Sequence, residues 1–213
     1  MAVASLSGLT FTTLEPRLTD SHGRVIHDLR VSITDRCNYK CVYCRTGEVG
    51  AHYPELQIEE YLRLIRVFVG LGISKVRLTG GEPLLRRGLV DMVKELATWR
   101  TIEGEPLDLA LTTNGHLLEE LAAPLKAAGL NRVTVSMDAV DAATFEQITR
   151  IPGSFETVLR GVRAARASAQ DRHLGASFAE RANLGTGCWR HVCRRRRAQG
   201  LSLRKSGSEG RQG

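Results

Sequence analysis

Ile33-Thr34-Asp35-Arg36-Cys37-Asn38-Tyr39-Lys40-Cys41-Val42-Tyr43-Cys44 is the stretch from which the rest of the chain is read. Its cysteines stand at C-x3-C-x2-C spacing and follow an apolar run, Leu29 to Thr34, that predicts a buried strand. All three thiols therefore sit on one loop leaving the carboxyl end of a strand. Closed structural metal sites take four cysteine or histidine ligands. Three on one loop, with no fourth nearby in sequence, predict a metal centre with one position left open for chemistry. Two plainer readings stand beside this one: a reduced surface loop, and a zinc site completed by a distant histidine. Thiols crowded this closely argue for ligation. Their spacing also differs from those of ferredoxins and zinc fingers.

Outward from the loop, strand and helix alternate. Asp28-Leu29-Arg30-Val31-Ser32-Ile33-Thr34 is the first predicted strand. Ile58 to Leu71 reads as an amphipathic helix with Leu62, Ile65, Val67, Phe68 and Val69 on its apolar face, stopped by Gly70 and Gly72. Lys75 to Thr79 is a second strand, ending in Gly80-Gly81-Glu82-Pro83, and a helix follows from Leu85 to Trp99. Leu107 to Thr112 is a third strand, ending in Thr112-Thr113-Asn114-Gly115, before a helix from Leu117 to Ala128. Arg132 to Ser136 is a fourth strand, ending in Ser136-Met137-Asp138, and helices follow over Ala142–Ile148 and Phe155–Ala167. Units of roughly 25 to 40 residues in this order predict an α/β fold with parallel strands. The distinctive residues fall at the carboxyl ends of strands, where a (β/α) barrel keeps its active site. About four strands are legible, too few to close a barrel. The expectation is a partial barrel that exposes apolar strand faces and an open sheet edge.

Composition narrows the function classes. A chain of 213 residues with 42% apolar content suits one domain. No apolar run reaches the length of a membrane span, and Met1 to Arg24 lacks the pattern of a signal peptide, so the expected location is cytoplasmic. Five cysteines, an odd number, argue against a disulfide framework. The net charge of +7 lies in the tail: residues 169–213 carry ten Lys/Arg and three Asp/Glu, whereas residues 1–168 carry twenty of each. The first 168 residues thus lack an electrostatic footprint for nucleic acid. Beyond residue 168 the periodicity stops, and an Arg-, Gly- and Ser-rich composition containing Arg194-Arg195-Arg196-Arg197 predicts disorder. A fifth strand is due near residue 170 and does not come, as expected if a frameshift or mispredicted gene end replaced the continuation.

The cysteine loop, with the aromatic Tyr43 before its last cysteine, resembles the radical S-adenosylmethionine (SAM) enzymes. In that family such a loop holds a [4Fe–4S] cluster, the fourth iron binds the amino and carboxylate groups of SAM, and an electron from the cluster cleaves the sulfonium to a 5′-deoxyadenosyl radical. Gly80-Gly81-Glu82-Pro83, one strand later, matches the family's motif for the SAM amino group. By chemistry alone, the glycines let backbone approach a ligand and the carboxylate accepts from an ammonium. The resemblance narrows further. Gly23-Arg24, the run from Asp28 to Asn38, Arg77-Leu78-Thr79-Gly80-Gly81-Glu82-Pro83-Leu84, Leu111-Thr112-Thr113-Asn114-Gly115 and Val135-Ser136-Met137-Asp138 are similar to the GTP 3′,8-cyclase family of molybdenum cofactor biosynthesis (molybdenum cofactor biosynthesis protein A), over residues 20–167.

The resemblance implies a lyase whose radical acts on GTP and whose partners are GTP, an electron donor and, as a homodimer, a second copy. It divides the chain into a flexible lead-in (1–24), an incomplete radical SAM barrel (25–167) and a non-homologous tail (168–213). Cys37, Cys41 and Cys44 would ligate one cluster, Tyr43, Gly81 and Ser136 would contact SAM, and Arg30, Arg77 and Thr112 would contact GTP. Forked guanidiniums suit phosphate and a threonine hydroxyl offers a neutral hydrogen bond. On periodicity alone the two arginines are solvated or ion-paired, and the Thr112 and Ser136 hydroxyls close turns. The chain also departs from the family. Three C-terminal cysteines there hold a second cluster; here Cys188 and Cys193, with His191 between them, stand in the basic tail as incidental residues. Arg45-Thr46 replaces the usual Met-Pro, the family's phosphate-contacting Lys is missing, and the chain ends Gln212-Gly213 rather than Gly-Gly. The alternative expectation is therefore a catalytically incompetent fragment lacking the second cluster.

Overall fold

The alternation assembles one four-stranded parallel sheet in the computed structural model, which describes residues 17–44 and 54–168. The start of the lead-in, Arg45-Thr46 and the tail with Cys188, His191 and Cys193 lie outside the described residues. Strand β1 (Asp28–Ser32) pairs with β2 (Lys75–Thr79), β2 with β3 (Asp108–Thr113), and β3 with β4 (Arg132–Val135). Spatial order equals chain order, with α1 (Ile58–Gly70), α2 (Leu89–Thr98) and α3 (Leu118–Ala127) in the returns and α4 (Ala142–Thr149) and α5 (Ser154–Ser168) after β4. This is how a (β/α) barrel winds, with β1 and β4 at the two edges of the sheet among the described residues. The expected α/β partial barrel of four parallel strands is present. None of the described helices is long and apolar enough to cross a membrane.

Strand periodicity of two decides which face the helices cover. Val31, Val76, Leu78, Leu109, Leu111, Val133 and Val135 share one face and are buried. Each contributes about 1.5–3 kcal/mol by leaving water. Expected exposure of apolar strand faces is corrected here: the apolar face lies under the helices, and the uncovered face is polar. Register places Arg30, Arg77, Ala110 and Arg132 in one row across that uncovered face, with Thr112 opposite Thr134 one step further on.

The helices sharpen two further readings. In α1 the buried stripe is Tyr61, Ile65 and Val69, spaced four apart, and Val67 is 57% exposed because it falls half a turn away. The Gln57 backbone N–H donates to Glu60 Oε2 at 2.7 Å and fixes the start of α1. The second helix begins at Leu89 rather than Leu85. Pro83–Leu85 form a 3₁₀ turn, Arg86 is extended and Gly88 is left-handed at φ +78°, so helical backbone restarts only after Gly88. Helix α4 is capped by Asp141, whose carboxylate accepts the Thr144 N–H at 2.9 Å and lies below the usual carboxylate range for that reason.

Candidate functional site

At the carboxyl edge, the exit of β2 crosses the entry of the cysteine loop. Ile33 N–H donates to Thr79 O at 3.0 Å, Gly81 N–H to Thr34 O at 2.8 Å, and Glu82 N–H to Arg36 O at 2.8 Å. The β1–β2 pairing thus continues beyond the strands. A Cβ on Gly81 would stand 2.4 Å from Arg36 O and 2.7 Å from Asp35 O. One on Gly80 would stand 2.2 Å from Thr34 O. The glycines permit backbone to cross backbone, and that crossing sets where the cysteine loop begins.

The loop is tied down at its far side as well. Lys40 N–H donates to Thr149 O at 3.2 Å and Val42 N–H to Ile148 O at 2.9 Å, so the last turn of α4 carries the middle of the loop. Arg150, left-handed at φ 59°, ends α4 at that point. Cys44 N–H closes a turn onto Cys41 O at 2.9 Å. Tyr43 reaches across the edge, its hydroxyl donating to Asp138 Oδ2 beyond β4 at 2.6 Å. Cys37 and Cys41 are half-buried and Cys44 is exposed. Burial, aided by the Glu82 carboxylate and by Cys44, raises Cys37; burial, aided by Cys44, Asp138 and Cys37, pushes Cys41 up to about 11. Three thiolates repel one another here, and a bound cation reverses that penalty.

Glu82 differs from the reading of a carboxylate offered to an ammonium. It is wholly buried. Its Oε1 accepts from Leu84 N–H at 3.0 Å and from the Thr113 hydroxyl at 2.7 Å, and its Oε2 accepts from Asn114 N–H at 2.7 Å. Burial raises its carboxyl despite those three donors, which pull the other way. Glu82 therefore ties the exit of β2 to the exit of β3.

Below this edge lies the polar sheet face. Arg77 Nη1 donates to the Thr112 hydroxyl at 3.2 Å and to the Thr134 hydroxyl at 3.0 Å. Arg30, its register partner, is exposed and has no hydrogen-bond or ion-pair partner among the described residues. Arg132 pairs with Asp108 at 2.5 Å. A cavity of about 170 Å³ opens here, lined by Arg30, Lys75, Arg77 and Arg132 together with Asp28, which pairs with Lys75 at 3.9 Å. Two neutral hydroxyls orient the Arg77 guanidinium without cancelling its charge, which suits an anion.

The fold thus joins Arg77 with Thr112 and sets Arg30 beside them. Tyr43, Gly81 and Ser136 stand at the carboxyl ends of three separate strands, and Ser136 N–H bonds Thr113 O at 2.8 Å. Sequence reasoning missed Thr134, Asp138 and Arg132. The alternation Arg132-x-Thr134-x-Ser136 was the available signal for one face. Tyr43–Asp138 spans 95 residues, and no local pattern announces it.

Among the described residues no three His, Cys, Asp or Glu side chains converge closely enough to grip a single metal ion. Three thiols spread along one loop suit a polynuclear cluster, whose separate iron corners each take one thiolate. The donor set fits such a group.

A parallel half barrel with its thiol loop after the first strand, and its distinctive side chains along the carboxyl edge, defines a (β/α)-barrel enzyme core. Residues 31–177 match the radical SAM superfamily, and the chain belongs to that family. It is 46% identical over 151 residues to a GTP 3′,8-cyclase of Peptoclostridium acidaminophilum, covering 70% of this chain and 45% of that one. It is 47% identical over 154 residues to that of Geobacter sulfurreducens, covering 71% and 46%, and 50% identical over 137 residues to that of Corynebacterium glutamicum, covering 62% and 36%. The chain spans less than half the length of these relatives. Among solved structures it resembles HydG, a maturase of the [FeFe]-hydrogenase, with a TM-score of 0.55 at 16% identity over 67% of this chain and 32% of that one. It also resembles SuiB of Streptococcus suis bound to S-adenosylmethionine, with a TM-score of 0.54 at 15% identity over 67% and 31%. At such identities the likeness is one of fold.

Proposed function

We propose that the chain is the SAM-binding half of a radical SAM GTP 3′,8-cyclase of molybdenum cofactor biosynthesis. The observation that carries the reading is the cationic sheet face, with Arg30 and Arg77 free of carboxylate partners among the described residues, lying under a three-thiol loop in a chain similar to proteins of that name. Cys37, Cys41 and Cys44 would hold one [4Fe–4S] cluster, which when bound supplies the electron for reductive cleavage of SAM. Tyr43, Gly81 and Ser136 line the edge where SAM would lie; Tyr43 covers it from the loop side and Asp138 fixes the tyrosine hydroxyl. Arg30, Arg77 and Thr112 would take the triphosphate and sugar of GTP from below, Arg77 held in place by Thr112 and Thr134. An external reductant is required.

The test is anaerobic formation of 5′-deoxyadenosine by the iron-reconstituted, dithionite-reduced chain, with and without GTP. The proposal predicts cleavage that rises with GTP and disappears in Cys41→Ala. No cleavage by an iron-loaded chain would favour the alternative, a fragment that keeps the motifs without the activity.

A further inference from the structure

Asn114 carries an interaction that neither the SAM motifs nor the GTP residues use. Its side-chain Nδ2 lies 3.9 Å from Cys37 Sγ and donates to Asn38 Oδ1 at 2.7 Å. The orientation of this amide is fixed twice. Asn114 Oδ1 accepts the His116 N–H at 3.0 Å, so the NH2 group must point the other way, at the cysteine loop. The Asn114 backbone N–H is held by buried Glu82 at 2.7 Å, and Glu82 in turn takes the Thr113 hydroxyl at 2.7 Å. Cys37 Sγ also faces the Tyr39 N–H at 3.4 Å, so two donors from different elements surround one sulfur. The Asn114 donor comes from the exit of β3, 77 residues away in sequence.

We propose that Asn114 is a positioning residue for the iron–sulfur cluster, donating an N–H···S hydrogen bond to Cys37 that raises the cluster's reduction potential, with Glu82 as the buried anchor that aims it. The inference rests on the reading that the three thiolates hold a cluster. Hydrogen bonds to ligating sulfur draw off electron density and favour the reduced state, which carries more negative charge. Asn38 shares the same amide, so a shift of the loop that brings Cys37 closer strengthens the contact to sulfur without moving β3. Glu82, in this arrangement, aims the Asn114 amide, while its carboxylate also acts on the Cys37 thiol through space.

The experiment is an EPR-monitored redox titration of the full chain after anaerobic iron reconstitution, comparing wild type, Asn114→Asp and Asn114→Ser. Aspartate keeps the acceptor for His116 N–H and the size of the side chain, and replaces the donor with a carboxylate. Serine keeps a turn-forming oxygen and is too short to reach the sulfur. Both variants are expected to titrate at more negative potential than wild type, aspartate further than serine because it adds charge. Iron-loaded variants with unshifted or more positive potentials overturn the inference and leave the cluster reading intact. Loss of the cluster from both variants, with wild type loaded, also overturns it, since Asn114 would then act on the fold and not on the sulfur. A wild-type chain that takes up no iron overturns the cluster reading and this inference together.

Discussion

Replacing Gly81 by alanine puts a methyl group where the β2 exit and the cysteine loop cross. The new Cβ would lie 2.4 Å from Arg36 O and 2.7 Å from Asp35 O, both backbone atoms, so no side chain can rotate away to relieve it. The crossing must open, and with it go the 2.8 Å bonds from Gly81 N–H to Thr34 O and from Glu82 N–H to Arg36 O. Two backbone hydrogen bonds at about 0.5–1.5 kcal/mol each, with about 1–3 kcal/mol of overpacking, give a loss of about 4 kcal/mol. For a chain of this size that lowers Tm by about 8–16 °C. Gly70→Ala is the control. It ends α1 with no atom of the described residues within 4 Å of where its Cβ would stand, and alanine there should hold or slightly raise stability, by up to about 1 kcal/mol. Thermal unfolding by circular dichroism on the metal-free chain reads both. A Gly81→Ala melt within about 2 °C of wild type would refute the crossing as the reason for the glycine.

Three other perturbations follow from the same geometry. Arg150→Gly removes a left-handed residue at φ 59° and should raise Tm by about 2–4 °C, for about 1 kcal/mol of relieved strain, and a lower melt would contradict this. In the iron-free chain, a Cys41 thiol pushed up by burial is protonated near neutral pH, so its alkylation rate should climb with pH and level off only near about 11, whereas a plateau in the ordinary thiol range would contradict the burial. Arg77→Met should weaken GTP binding about tenfold or more by calorimetry, with Tm little changed because its partners are two hydroxyls; unaltered affinity would remove Arg77 from the site.

Elements were legible where the local period was strong. Lys75–Thr79 is predicted and observed with the same bounds, and every other strand agrees to within two residues, because alternation and turn residues act over a few positions. Failures came where one residue outweighed the period. Gly88 in the left-handed region delays α2, and Val67, apolar by composition, lies off the Tyr61–Ile65–Val69 stripe. The thiol loop was readable because its residues are adjacent. The Glu82–Asn114–Cys37 connection was not, since it needs three strand exits brought side by side by parallel pairing. Glu82 illustrates the limit most sharply: Gly80-Gly81-Glu82-Pro83 alone reads as a turn, and only the fold shows that the buried carboxylate gathers three donors from two strand exits. The polar sheet face was legible only in part: periodicity alone leaves Arg30 and Arg77 as solvated charges, the resemblance singled them out, and Arg132 joins their row only through register.

The most direct measurement of the central claim is iron and acid-labile sulfide content, with Mössbauer spectra, after anaerobic reconstitution of the full chain and of a Cys37→Ala, Cys41→Ala, Cys44→Ala variant. The account predicts about four irons and four sulfides per wild-type chain in a [4Fe–4S] spectrum, and none in the triple variant. Equal uptake by the triple variant, or a wild-type chain that binds zinc tetrahedrally and forms no cluster, would contradict it.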